Sequence, residues 1–191
     1  MATRSLNLEQ LLEAVWETVY MTFVSVLFAG IIGLFIGILL FCTSSSGLFR
    51  NTVVNKIMDV IVNVLRAVPF IILLIIIIPF TRFVAGKWIV TTAAIVPVTA
   101  SAIPYIARVF EPSLRETDPG VIEAARSFGA SDWQILFRVY IKESIPRMLT
   151  GIVLLTISLI GYSAMAGTVG AGGLGDIAIR YGYQRFQGDV M

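Results

Sequence analysis

Four long apolar stretches, separated by shorter polar ones, organise this chain. Crossing the hydrocarbon of a bilayer takes about 20 mostly apolar residues. The segment 18–42 is 25 residues without a formal charge and reads as a first span. Gly30, Gly33 and Gly37 fall on one face of it, either for close helix packing or simply because glycine is common in membrane helices. A second span is predicted over 57–80. Its first half is mixed, with Asp59, Asn63 and Arg66, and its second half, 70–78, is wholly apolar. Pro69 and Pro79 bracket that half and bend or end the helix, and Arg66 is expected to snorkel to the interface. A third span covers 89–110, where Pro97 and Pro104 interrupt the hydrogen-bond ladder and predict a bent helix. A fourth covers 148–165. The run from Ala166 to Gly175 is too glycine-rich to stay helical, and a polar tail follows. Asn7, with Gln10 three residues on, gives a weak capping box for a short lead-in helix. Glu9, Glu13 and Glu17 precede the first apolar run, which is too long for the core of a cleavable signal peptide. The expected fold class is therefore an all-α integral membrane protein, one transmembrane domain over 1–191.

The longest polar stretch, 111–147, lies between spans three and four. Asp118-Pro119 is a helix start, with Asp as N-cap and Pro at the first helical position. A helix over 120–128 then stops at Gly129. Ser131 opens a second helix, with Gln134 completing a capping box. Two short helices with a sharp glycine joint exceed what a mere connection needs, so this loop is expected to dock another surface. Ala124 and Ala125 leave room for that surface to approach. If the spans alternate, nine basic residues share the loop's side (Arg50, Lys56, Arg66, Arg108, Arg115, Arg126, Arg138, Lys142, Arg147) and five lie opposite (Arg4, Arg82, Lys87, Arg180, Arg185). The positive-inside rule then puts the loop in the cytoplasm and the N-terminus outside.

Composition narrows the chemistry. The 191 residues are 57% hydrophobic and 14% charged, with a net charge of +2 and a mean hydropathy of +0.88. Soluble domains carry about 25% charged residues. So small a charge gives no basis for a nucleic-acid partner. The chain has no histidine and one cysteine, Cys42, read as a packed or lipid-facing thiol. A His-dependent triad, a usual zinc site and an internal disulfide are all excluded, so no catalytic and no metal residues are assigned. Asp59, Arg66 and Arg108 are not expected to pair at catalytic spacing. There is no phosphate-binding loop, since Gly86-Lys87 runs straight into Trp88. Uphill transport would need energy from another subunit, entering through the 111–147 loop. Four or five helices make a thin wall, so two copies are expected to enclose a pathway on a two-fold axis. Pathway residues are expected in span four, where Tyr162, Ser163, Ala164 and Ala166 flank Met165. A thioether there fits a gate that fills space adaptably, or else ordinary helix packing. The glycine run beyond it is either a hinge or a flexible external loop.

The stretch Glu123-Ala124-Ala125-Arg126-Ser127-Phe128-Gly129 resembles the EAA motif of ABC importer permeases, type I. In that family the loop is the coupling helix that fits a cleft of the ATPase subunit. The resemblance makes Glu123, Ala124, Ala125, Ser127, Gly129 and Ala130 the ATPase-docking residues. The family pattern goes on to an apolar residue, a spacer, Leu and Pro. Here those positions hold Val139, Tyr140, Ile141 and Lys142, and a proline comes only at Pro146. Two further stretches are similar to methionine importer permeases. One is Arg66-Ala67-Val68-Pro69-Phe70 onward to Ile78-Pro79-Phe80-Thr81-Arg82. The other is Gly161-Tyr162-Ser163-Ala164-Met165-Ala166-Gly167 through Gly172-Gly173-Leu174-Gly175. The resemblance implies a methionine permease of the bacterial inner membrane, with no cofactor of its own and ATP on the partner subunit. Its implied partners are a second copy, two ATP-binding subunits and a periplasmic or lipid-anchored methionine-binding protein. It also implies a fifth span, expected beyond Met191 and absent from this chain. Since no charge sits mid-span to grip a zwitterion, specificity is expected to lie with the binding protein. The competing readings are a permease for another amino acid or small solute, and an ATP-independent channel or structural membrane subunit.

Overall fold

A computed structural model describes residues 7–86 and 91–187. The described residues are helical throughout, without strands. In chain order the helices are α1 (Leu8–Thr43), α2 (Thr52–Ala67), α3 (Phe70–Ile76), α4 (Ile78–Ala85), α5 (Thr91–Arg115) and α6 (Pro119–Ser127). They are followed by α7 (Asp132–Gly167) and the short α8 (Gly173–Ile177), which runs on into a π-helical turn, Ala178–Tyr183. A second π turn, Leu136–Tyr140, is embedded in α7.

By length and composition α1, α5 and α7 can each cross a bilayer, and α2 with α3, bent by 105° at the break, counts as a fourth if the pair is taken as one broken span rather than a re-entrant loop. The second stretch is thus broken rather than curved. Pro69 takes an extended conformation (φ −57°, ψ 138°) and caps α3, because proline disfavours a helical residue before it and offers no N–H to continue the ladder. Pro79 sits in the first turn of α4, where its missing N–H costs nothing. Pro97 and Pro104, expected to bend the third stretch, lie inside α5 without ending it.

Two boundaries differ from expectation. The polar stretch 111–147 is largely helix: α5 continues to Arg115, and the helix expected to open at Ser131 does so and runs on without a break into the fourth apolar stretch as α7. Only 116–131 lies outside the long helices. What was not expected is the continuity: charged side chains at 132–147 alternate with Ile135, Leu136 and Tyr140, which are buried. Beyond Gly167, where continued irregularity was expected, the backbone recovers a helix at Gly173. Ile89 and Val90 of the third stretch, and Arg4 and Lys87 of the charge comparison, lie outside the described residues.

The chain forms two compact units. One contains residues up to Phe28, Val68–Ser101 and residues from Thr156 onward; the other contains Ala29–Ala67 and Ala102–Leu155. The first holds a cluster of Ala14, Ile177 and Tyr181. The second is centred on Leu40, Val62 and Ala107, with Ile36 and Met58 against them, joining α1, α2 and α5. Close approach there depends on α1 having no side chain at Gly33: a Cβ would lie 2.5 Å from the Ile106 side chain. At Gly30 nothing lies within 4 Å.

The two glycines should therefore respond oppositely to alanine. Gly33→Ala is expected to destabilise the chain by about 1–3 kcal/mol through overpacking. Gly30→Ala should be neutral or stabilising by up to about 1 kcal/mol. Unfolding by SDS titration in mixed micelles measures both, and equal effects would refute the packing assignment.

Candidate functional site

The segment 116–131 is shaped by local hydrogen bonding. The Asp118 carboxylate accepts from the Gly120 N–H at 2.8 Å and caps α6, with Pro119 in its first turn. At the other end Gly129 is left-handed (φ 80°). Its N–H donates to the Arg126 carbonyl at 2.9 Å, and the Ala130 N–H reaches the Ala125 carbonyl at 3.1 Å. This pair of bonds is a Schellman motif, and glycine relieves the Cβ strain of its left-handed residue. Ser131 then starts α7. Its hydroxyl accepts from the Gln134 N–H, and its own N–H donates to the Gln134 side chain at 2.9 Å.

No side chain of α6 is buried within the chain. Glu123, Ala124, Ser127 and Gly129 are exposed, Ala125 and Ala130 half-buried. The Ser127 hydroxyl donates to the Glu123 carbonyl at 3.0 Å and is occupied by its own helix. Phe128, at the turn, is 91% exposed. The six expected docking residues thus share one continuous, outward-facing stretch. It is anchored at its base in the same unit. The Ser113 carbonyl, near the end of α5, accepts from the Ser144 hydroxyl at 2.8 Å and the Arg147 guanidinium at 3.2 Å. The half-buried Arg108 bridges Asp59 of α2 and Glu111, which lies 2.8 Å away, and Arg115 binds the other Glu111 oxygen at 2.7 Å. Asp59 and Arg108, not expected to pair at catalytic spacing, form a structural ion pair. The i,i+3 and i,i+4 spacings around Glu111 were legible in sequence. The Asp59 contact, 49 residues away, was not.

The pathway candidates lie in the other unit, at the end of α7. The Tyr162 ring stacks on Phe70 with centroids 4.8 Å apart and planes 3° from parallel. Ser163 is buried, and its hydroxyl donates to the Ile160 carbonyl at 2.7 Å. Met165 is 47% exposed and free to pack against another surface. Beyond it α8 folds back at backbone distance, since a Cβ on Gly175 would strike the Ala164 backbone at 2.4 Å.

What holds α8 there was missed by sequence reasoning. Gly172 gives α8 no side-chain cap. Instead one Glu17 oxygen accepts from the Gly173 N–H at 2.7 Å, and the Thr18 hydroxyl accepts from the Leu174 N–H at 2.9 Å. The other Glu17 oxygen accepts from the Thr91 hydroxyl at 2.8 Å. One carboxylate thus ties α1, α5 and the start of α8. A cavity of about 530 Å³ opens beside it, lined in part by Glu13, Asp176, Arg180 and Tyr181. Asp176 and Arg180 are themselves paired at 2.5 Å. Among the described residues no group of three His, Cys, Asp or Glu side chains is placed to hold a metal.

The model of the family described as binding-protein-dependent transport system inner membrane component matches residues 33–187. The chain is 53% identical over 169 residues to the probable D-methionine transport system permease protein MetI of Pasteurella multocida, covering 88% of this chain and 78% of that protein. It is 44% identical over 186 residues to the methionine import system permease protein MetP of Bacillus subtilis, covering 97% and 84%. A solved structure of the MetNI methionine ABC transporter in inward-facing conformations superposes with a TM-score of 0.93 at 45% identity, covering 96% of this chain and 85% of that one.

The Glu17 tie makes a direct prediction. Glu17→Ala removes two acceptors, one of them for a backbone N–H, at a cost on the order of 2 kcal/mol. Amide exchange at Gly173 and Leu174 should then accelerate, and Glu17→Gln, which keeps one acceptor, should fall between. Unchanged exchange in Glu17→Ala would show that α8 is held by other means.

Proposed function

The chain belongs to the family of inner membrane components of binding-protein-dependent transport systems, and from that premise we propose that it is the methionine permease subunit of an ABC importer. It is a transport subunit, not an enzyme. The observation that carries the mechanism is α6, a rigidly capped helix that buries none of its side chains in its own chain. A helix so exposed, with small residues at Ala124 and Ala125, is built to enter a cleft in something else. That partner is an ATP-binding subunit, one for each of two permease copies, and ATP is bound there. The methionine assignment rests on the relatives' names and on the Gly161–Gly175 stretch.

The loop faces the cytoplasm and the N-terminus lies outside, as the distribution of basic residues favours. Two copies enclose the pathway, with Met165 as gate and Tyr162 beside it. Met165 is exposed on the isolated chain at the end of a span, as a gate closing against a second copy needs to be. An external binding protein delivers methionine. Driving a two-state equilibrium from one side to the other takes about 5.5 kcal/mol of differential binding. Closure of the ATP-binding pair supplies it through α6. Because α6 is joined to α5 and α7 only by the short segments 116–118 and 128–131, a displacement of α6 reaches both long helices directly.

Two substitutions test this. Gly129→Pro demands a φ near −65° where the chain has 80°, and Glu123→Lys reverses the charge on the docking face. Both should abolish uptake of radiolabelled methionine while leaving membrane insertion intact. Undiminished uptake by both variants would sink the docking assignment, and competition by unrelated amino acids as strong as by methionine would sink the substrate assignment.

A further inference from the structure

The transport reading leaves one surface unused. Phe49, in the turn after α1, lies with its ring 5.0 Å from that of Trp133, and Trp133 lies 6.2 Å from Phe137. Trp133 and Phe137 are stacked, 14° from parallel, and Phe49 is tilted by 38° against Trp133; the three are nonetheless 39%, 60% and 56% exposed. They form a platform of three aromatic rings built from the α1–α2 turn and the first turns of α7, within one unit.

Cations border it. Arg50 follows Phe49, and Lys56 is one turn into α2. Arg138 follows Phe137, and Lys142 comes four residues later. All four are exposed, and none joins an ion pair among the described residues. Arg108, Arg115, Arg126, Arg147 and Arg180 all do. Among the described residues Arg66 and Arg185 join no ion pair either, but they lie elsewhere in the chain; Arg50, Lys56, Arg138 and Lys142 are the unpaired cations that fall close in sequence to the rings.

The third observation is α2. Val53, Ile57, Val60 and Val64 recur at helical spacing and are all exposed. That is an outward aliphatic stripe of the kind that faces acyl chains. The platform lies at the end of the chain segment where this stripe begins. Aliphatic surface, aromatic rings and unpaired positive charge thus occur together at the starts of α2 and α7. Amphipathic rings settle at headgroup level, and a guanidinium binds phosphate oxygens two at a time. A protein partner would not require an aliphatic stripe next to its site, whereas a phospholipid carries acyl chain and anionic headgroup together.

We propose that the Phe49–Trp133–Phe137 platform and the four cations beside it bind an anionic phospholipid, with phosphate on the cations and glycerol and upper acyl chain on the rings. The lipid then rests on both the α1–α2 turn and the start of α7, next to the loop that carries α6.

The test uses the full transporter complex, delipidated in detergent and offered phosphatidylglycerol and phosphatidylcholine together, with retained lipid counted by native mass spectrometry. The unsubstituted chain should retain phosphatidylglycerol preferentially. Arg50→Gln and Arg138→Gln, made singly so that folding is preserved, should each lower that preference about fivefold, and the fourfold variant with Lys56→Gln and Lys142→Gln should abolish it. A photoreactive phenylalanine analogue at position 133 should capture phospholipid. Equal retention of the two lipids by the unsubstituted chain, a preference that survives all four substitutions, or capture of a protein subunit at position 133 would each overturn the proposal. The lipid count does not depend on ATP-driven transport, so its failure is distinct from a failure of the permease assignment.

Discussion

A backbone N–H or C=O freed at a helix end finds no water inside hydrocarbon, and each one left unpaired costs several kcal/mol. This chain interrupts its helices repeatedly, and at three of the breaks distant side chains complete the bonding. Asn55 donates to the Leu40 carbonyl near the end of α1 at 2.8 Å. Ser144 and Arg147 serve the Ser113 carbonyl near the end of α5. Glu17 and Thr18 serve the first N–H groups of α8 from 156 residues away. Apolar contact with lipid tails is as favourable as contact between helices, so hydrophobic burial does little to specify which helices meet. Polar ties of this kind, together with small residues such as Gly33, do the specifying instead.

That division explains what could be read in advance. The caps of α6 and α7 were legible because each is a local device. Asp118-Pro119, Gly129 and the Ser131–Gln134 box all act within three or four residues, and hydrogen bonding at each follows the sequence signal. The breaks at Pro69 and Pro79 were legible for the same reason. The extents of α5 and α7 were not. A polar residue on an exposed face looks the same in sequence whether it belongs to a loop or to the outer turn of a long helix, and Glu111–Arg115 and the charges of 132–147 belong to helices. The ties made by Glu17 and Asp59 were also hidden. A carboxylate near a span carries no mark of the partner that folding will bring to it.

The ties around the projecting loop also decide how a push on α6 would travel. The exposed Arg126–Asp132 pair, at 3.8 Å, contributes little. The anchoring is at Glu111 and Ser113. Glu111 is held by two arginines, and one of these, Arg108, is bound in turn to Asp59 of α2. The Ser113 carbonyl is held by two residues of α7. The last turns of α5 are therefore fastened to both α2 and α7, and α6 cannot shift its root without moving all three. A polar connection without these bonds would absorb displacement by local bending of the backbone.

The π turn at Leu136–Tyr140 fits this mechanical reading. A π turn adds one residue to the helical cycle and rotates everything beyond it. Here it lies between the loop and the long apolar run of α7, and at its end the Tyr140 ring packs against Phe41 of α1 with centroids 4.7 Å apart. An unbroken α-helix would turn that side chain by roughly a further 100° per residue of offset and lose the contact. The extra residue thus sets the angular register between the part of α7 that follows the α6 loop and the part that packs on α1. A rotation of α7 at Asp132 would therefore bear first on the Tyr140–Phe41 contact at the end of the π turn.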